Sequence, residues 1–357
     1  MCNTLIEIPV IDFEPFIDGD VVAQQAVSRQ IYQACHEIGF MYLKNPGIPP
    51  SLIEQMFEQA KQFFALPLEI KNQVAWSSAF SNRGYVGVER ERLAQDTPGD
   101  LKEAFNVGKE VNPKEISKQE QCSLILNQWP EGQVTFRKTV LEFYQTCAEA
   151  AEKVCYAFAI ALQLPESFFT DKHNQQNYTL RLLHYPPIEQ IPKPQQVRAG
   201  EHSDYGSFTL LFQDEVGGLE VCTAAGEWIA APCIPGTVVV NTGDLMQRWT
   251  NHVFCSTKHR VRIPTNDPPG SRVRSSRGTP TGSQSPTAGN PPAGLSHRPH
   301  DPSHRVKRSR YSIAFFCHPN NDAEIACLES CQEPDCPPLY PPISAGDYLL
   351  SRLQATY

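Results

Sequence analysis

The sequence predicts a mainly β protein with flanking helices, and two contrasting textures along its 357 residues carry that prediction. After residue 176, short β-rich runs recur with Gly and Pro between them: YTLRLLHY, SFTLLFQ, GLEV, EWIAA, GTVVVN, VFCSTKHRV and YSIAFFCHP. Short strands at such spacing are the pattern of an antiparallel sandwich or barrel. Before residue 176 the apolar residues recur mostly at helical spacing, with only a few strand-like runs between them.

Taken in order, IEIPVIDF (6–13) reads as the first strand. A helix follows over 20–38, with Val27, Ile31, Ala34 and Ile38 on one face and Gly39 as its stop. FMYLKN (40–45) returns to strand pattern. SLIEQMFEQAKQFFAL (51–66) is an amphipathic helix in which Ser51 and Glu54 have the spacing of a capping box. Residues 81–110 read as loop. A long helix runs over 130–164, with Val140, Phe143, Cys147, Ala151 and Val154 on one side, and ISAGDYLLSRLQATY closes the chain as a capped helix. These elements divide the chain into a mixed α/β region (1–125), a long helix packing on the core (126–175) and a β core (176–357).

Residues 267–304 break the pattern. They are dominated by Pro, Gly, Ser, Thr and Arg, with almost no large apolar side chain besides Val273 and Leu295. Such a stretch buries too little surface to offset its ordering entropy, so it is expected to be a disordered insertion between two strands. Its basic residues are scattered and lack aromatic companions, which argues against a nucleic-acid-binding arm.

The composition narrows the function. A formal net charge of −8 opposes affinity for nucleic acid, and 40% hydrophobic residues suffice for a packed core. No apolar run approaches the ~20 residues that cross a bilayer, so no membrane partner is expected. The opening MCNTLIEIPVIDFEPF has no basic segment leading into an apolar one, so the expected location is cytoplasmic. The expected state is a monomer. Twelve scattered cysteines then read as buried thiols; Cys327, Cys331 and Cys336 lack the paired spacing of ordinary zinc modules.

The chemistry-bearing groups lie in the β region. In GEHSDYGSF, His202 and Asp204 leave an extended segment from the same face, although this pair alone also suits a surface turn. His259 in STKHRVR supplies a third donor. Two His and one carboxylate form the facial triad of non-haem Fe(II) oxygenases, which leaves positions open for other ligands. Arg310 and Ser312, in SRYSIAFF, alternate on a strand and could clamp a carboxylate, or could be a surface Arg beside a strand Ser. Arg181, Leu183 and Tyr185 share a face in LRLLHY, so Arg181 and Tyr185 could enter one cavity, Arg181 hinting at an anionic substrate group.

His202-x-Asp204, His259-Arg260-Val261 and Arg310-x-Ser312 together resemble the iron/2-oxoglutarate-dependent dioxygenases of the isopenicillin N synthase-like family. IPVIDF, GFMYLKNPGIP and DLKEAFNVG are similar to its amino-terminal region, and GGLEV, TVVVNTGDLMQRWTN and RYSIAFFCHPN to its core. The resemblance implies a double-stranded β-helix (jelly-roll) core. It implies Fe(II) held by His202, Asp204 and His259, with the distal carboxylate of 2-oxoglutarate on Arg310 and Ser312 and Tyr185 near the end that chelates iron. It further implies an oxidoreductase that consumes O2 and 2-oxoglutarate, releases succinate and CO2, and hydroxylates, desaturates or cyclises a small molecule.

The sequence departs from the family in two places. Asn45-Pro46-Gly47 stands where Asn-His-Gly is common, and the interval from His259 to Arg310, a hairpin in the family, here contains the 267–304 stretch. Each doubling of loop length costs only about 0.6 kcal/mol, so the fold can tolerate it. A second His-Arg-Val begins at His304, but it follows the disorder-prone run, whereas His259 follows β-type sequence; His259 is the expected ligand. Two further readings stay open: an oxidase of the same fold that uses no oxo acid, for which Gln354 would be a candidate extra ligand, and an inactive binding protein. The pocket walls are expected from 81–93, 100–107 and the closing helix.

Overall fold

A computed structural model describes residues 7–76, 82–93, 97–112, 125–189, 191–263, 308–332 and 337–356. The expected disordered insertion at 267–304, His304 within the repeated motif, and Cys336 of the cysteine cluster lie outside the described residues.

The strands in chain order are β1 (Val10–Asp12), β2 (Phe40–Lys44), β3 (Gly84–Val86), β4 (Glu103–Val107), β5 (Thr179–Tyr185), β6 (Ala199–His202), β7 (Phe208–Gln213), β8 (Leu219–Cys222), β9 (Trp228–Ala230), β10 (Thr237–Thr242), β11 (His259–Val261), β12 (Arg310–Cys317), β13 (Glu324–Ile325) and β14 (Ile343–Ser344). Eight form one sheet in the order β1-β2-β10-β7-β12-β5-β4-β3. Four form a second, β6-β11-β8-β9, and β13 pairs with β14. All pairings are antiparallel except β1 with β2.

The period-2 alternation of the sequence sorts side chains between two apolar layers. On β12, Ile313, Phe315 and Cys317 face the helices while Ala314 faces the second sheet. On β10, Val238 and Val240 face the helices and Val239 the interior of the sandwich. On β5, Leu180 and Leu182 face outward and Leu183 and Tyr185 inward. Ala199, Leu219, Val221 and Val261 of the smaller sheet complete the inner layer.

The outer layer is covered mainly by α2 (Val21–Glu37), α3 (Pro50–Phe64) and the long α5 (Val134–Ala161). Shorter helices are α1 (Glu14–Asp18), α4 (Leu68–Gln73), α6 (Phe168–His173) and α7 (Asp244–Trp249), and α8 (Ala345–Thr356) ends the chain. Phe143 and Phe158 on α5 are fully buried, each contributing roughly 1.5–3 kcal/mol by leaving water. Asp20 caps α2 by accepting from the Ala23 N–H at 3.0 Å. Gly39 ends the helix at φ +68°, its N–H bonded to the Ala34 carbonyl; a Cβ there would meet the Cys255 oxygen at 2.3 Å.

Local expectations are corrected in three places, and a helix forms in one segment that carried none. Ser51 and Glu54 form no capping box: α3 begins at Pro50, so Ser51 is already helical and no side chain caps the end. Residues 81–110 contain β3 and β4, which extend the large sheet; their Gly and charged residues hid the pattern because pairing with β5 buries them. VFCSTKHRV yields a strand only at His259–Val261. The segment DLMQRW, which carried no strand or helix expectation, forms α7.

Candidate active site

His202 ends β6 and His259 begins β11, and the two residues are register partners across the smaller sheet. Their ring centroids are 4.3 Å apart. Asp204 follows two residues after His202, so the loop leaving β6 returns its carboxylate to the same place. One donor atom from each of His202, Asp204 and His259 lies within 4.8 Å of the others, the one such cluster among the described residues. His259 Nε2 and Asp204 Oδ1 stand 3.7 Å apart, too far to hydrogen-bond and close enough to share one cation.

The surroundings fix which atoms are offered. His202 Nδ1 lies 2.8 Å from the Gly200 carbonyl and His259 Nδ1 lies 3.1 Å from the Thr257 carbonyl. A carbonyl only accepts, so each Nδ1 carries a proton, which leaves Nε2 as the nitrogen turned toward a metal. Asp204 Oδ2 accepts from Thr209 Oγ1 at 2.6 Å and from Asn241 Nδ2 at 2.7 Å, leaving Oδ1 for a metal. Burial, then the neighbouring His259, draw His202 down to about 3, which keeps it a neutral donor. Burial alone would raise Asp204, but His259, His202 and the two hydrogen bonds outweigh it and hold the carboxyl below its ordinary range. Two imidazoles and one carboxylate, with no fourth protein donor among the described residues, fit Fe(II) with positions left open.

The donors open onto a cavity of about 460 Å3 between the sheets. Strand register orders its wall. Arg310 pairs with Tyr185, Ser312 with Leu183 and Gln213, Ala314 with Arg181 and Leu211, and Phe316 with Thr179 and Thr209. Since Thr209 holds Asp204, the metal donors sit toward the Phe316 end, and Arg310 lies about 20 Å along the strand from Phe316. Asn82, Leu93, Lys102 and three leucines of α8 (Leu349, Leu350 and Leu353) complete the mouth.

Arg310 is 1% exposed and has only neutral partners. It donates to Ser312 Oγ at 3.1 Å and to Gln213 Oε1 at 3.3 Å, and lies over the Tyr185 ring at 4.8 Å. A buried guanidinium without an acidic partner among the described residues suits an incoming carboxylate. Tyr185 differs from expectation: the register sets its ring against Arg310 rather than at the end that chelates the metal. Arg181 does line the cavity, but its charge is met by buried Glu91, so it offers less to an anionic substrate than the sequence suggested. Lys102 is likewise matched, by Asp100 at 2.9 Å. Gln354 is exposed and does not line the cavity.

Sequence reasoning missed Thr209 and Asn241. The signal is present: each is a polar residue at an inward position of a largely apolar strand, in SFTLLFQ and GTVVVN. An inward polar residue needs a buried partner.

Fold and donor set define the class of non-haem iron oxygenases with a two-histidine, one-carboxylate centre. Two family descriptions match the sequence: non-haem dioxygenase in morphine synthesis, N-terminal, over residues 8–132, and 2OG-Fe(II) oxygenase superfamily over residues 170–276. The 2-oxoglutarate-Fe(II) type oxidoreductase hxnY of Emericella nidulans is 31% identical, the match covering 98% of this chain and 90% of that protein. The proline hydroxylase buaE of Petromyces alliaceus is 31% identical over 99% of this chain and 100% of its own. A full-length Neurospora crassa protein, solved in complex with alpha-ketoglutarate and thymine, is 34% identical, covers 100% of this chain and 99% of its own, and superposes with a TM-score of 0.79. The chain belongs to the 2-oxoglutarate- and Fe(II)-dependent oxygenases. It is thus an oxidoreductase on a jelly-roll core, with Fe(II), 2-oxoglutarate and O2 as its cofactor and cosubstrates. No described helix is long and apolar enough to cross a membrane.

Proposed function

We propose that His202 Nε2, His259 Nε2 and Asp204 Oδ1 hold the Fe(II), that Arg310 and Ser312 take the distal carboxylate of 2-oxoglutarate, and that the remaining cavity admits a small molecule. When bound, the metal supplies the O2-dependent chemistry that oxidises a C–H bond by hydroxylation, desaturation or cyclisation, with succinate and CO2 released. The chain's own residues orient and exclude. Gly200 and Thr257 fix the imidazoles, Thr209 and Asn241 aim the carboxylate, and Leu349, Leu350 and Leu353 of α8 keep water from the mouth.

The observation that carries this reading is the meeting of three oriented donors with a carboxylate-free buried arginine in one cavity. Tyr185 supports the clamp by bearing the Arg310 guanidinium on its ring, and Arg181 with Glu91 forms part of the substrate wall.

The same reading includes a division into a mixed region (1–125), the long helix (126–175) and the catalytic core (176–357); family matches at 8–132 and 170–276 support it. It also includes a monomer acting in the cytoplasm, without nucleic-acid partners. Free thiols at Cys35, Cys147, Cys155, Cys222, Cys233, Cys255, Cys317 and Cys331 suit a reducing compartment. The net charge of −8 opposes a nucleic-acid partner. Succinate formed per O2 consumed is the test. Stoichiometric succinate is expected, and O2 consumption without decarboxylation of the oxo acid would contradict the assignment.

A further inference from the structure

Arg198 and Arg310 are the two largest charged side chains fully buried in the described structure, at 0% and 1% exposure. Arg198 directly precedes β6, and its Nη2 donates to the Arg308 carbonyl at 2.9 Å, which brings it to the strand that begins two residues later at Arg310. That carbonyl is its one hydrogen-bond partner: Nε and Nη1 are buried with none, and Arg310 Nε is buried with none as well. No carboxylate lies within ion-pair distance of either guanidinium among the described residues.

Two buried cations held on neighbouring segments without a counter-ion are costly, because each loses hydration and repels the other. Burial first, and Arg310 next, draw Arg198 down to about 10, against opposing pulls from Tyr185 and Asp214. Asp214 is already committed, accepting from the backbone N–H groups of Val216 and Tyr311. Packing gives no reason for the second charge, since an apolar chain of similar length would fill the space without this penalty. Arg198 is not part of the cavity wall, so it cannot touch a ligand there directly.

We propose that Arg198 is a positioning residue for the cosubstrate: its charge, held on the Arg308 carbonyl near Arg310, adds to the positive potential at the Arg310 end of the cavity and selects an oxo acid with a second carboxylate. The apoprotein carries the repulsion, and binding of the dianion relieves it. Arg198 therefore destabilises the empty protein and stabilises the filled one, a trade absent from a residue kept for packing. This rests on the placement of the distal carboxylate at Arg310 proposed above.

The test compares wild type, R198Q and R198K. It uses anaerobic calorimetric titration of the Fe(II)-loaded protein with 2-oxoglutarate and with 2-oxopentanoate, which has the same chain length without the distal carboxylate. Thermal melts of the metal-free protein run alongside. R198Q is expected to raise the Kd for 2-oxoglutarate on the order of ten-fold, leave that for 2-oxopentanoate unchanged, and raise the melting temperature of the empty protein by roughly 2–4 °C. R198K, which keeps the charge, is expected to retain most of the discrimination. A variant R198Q that melts lower or fails to fold, or that binds 2-oxoglutarate as wild type does, would overturn the proposal. A wild type that fails to prefer 2-oxoglutarate over 2-oxopentanoate would instead refute the placement at Arg310.

Discussion

The side-chain amide of Asn241 donates to Oδ2 of Asp204 across 2.7 Å, from the middle of one sheet to the loop leaving the other. With Thr209 on the adjacent strand it takes up one carboxylate oxygen and leaves the second for the metal. Outer partners of this kind fix a ligand's direction, and their loss commonly costs 10–100-fold in metal affinity. N241L should therefore weaken Fe(II) binding by roughly that factor while the circular dichroism of the fold is kept. Unchanged affinity in anaerobic Fe(II) titration would show that Asp204 is oriented without it.

Arg310 makes a second, separable prediction. Arg310→Gln removes the charge that faces the cavity end while leaving the three metal donors in place. Truncating one side of a buried charge pair typically costs about 2–5 kcal/mol, so the KM for 2-oxoglutarate should rise by at least about thirty-fold. Fe(II) affinity should stay near wild type. Equal losses of metal and cosubstrate binding would mean that the strand itself had moved.

A second buried network holds the amino-terminal elements to the sheet. Glu103 on β4 accepts from Lys71 Nζ at 2.8 Å and Tyr85 Oη at 2.6 Å, and lies 2.7 Å from His184 Nδ1. Burial would raise its carboxyl, but the three hydrogen bonds together keep it lowered. E103A leaves Lys71 buried opposite nothing acidic and should cost about 3–5 kcal/mol in urea unfolding. A loss under ~1 kcal/mol would show that the Phe64 carbonyl, which also accepts from Lys71, suffices.

His173 gives a pH dependence with a definite sign. It is buried on α6, with Nδ1–H donating to the Phe169 carbonyl at 2.7 Å and Nε2 accepting from Ser207 Oγ at 3.0 Å. Burial draws it from 6.5 to about 4. Above pH 6.5 both folded and unfolded chains leave it neutral, so its contribution is complete. As pH falls from 6.5 toward 4 only the unfolded chain takes the proton, and stability drops. Between pH 7 and 5 the loss should be on the order of 2 kcal/mol, measurable by urea unfolding of the metal-free protein. H173Q should lose correspondingly less over that interval, and parallel curves for the two would contradict the assignment.

Much of this was legible before any coordinates. His202, Asp204 and His259 could be found because each stands in a short, chemically distinct motif and because two histidines and a carboxylate are a recognised iron set. The sandwich was legible because inward and outward faces alternate cleanly on β5, β10 and β12. β3 and β4 were not, since Gly84, Glu103 and Asn106 suit a strand only once β5 and the Lys71–Glu103 pair are beside them. The place of Tyr185 against Arg310 is not legible either, because alternation gives the face of a residue but not its register against a partner strand. The pairing of Arg181 with Glu91 joins residues far apart in sequence, and nothing local to either announces the other.

The central claim is that His202, Asp204 and His259 hold iron with room left for 2-oxoglutarate to chelate it. Anaerobic titration of the metal-free protein with Fe(II) and then 2-oxoglutarate reads this directly, through the visible metal-to-ligand charge-transfer band of a chelated oxo acid. The account predicts that the band forms in wild type and in His304→Ala, and is lost in His259→Ala. A band that survives in His259→Ala, or that never forms in wild type, would contradict it.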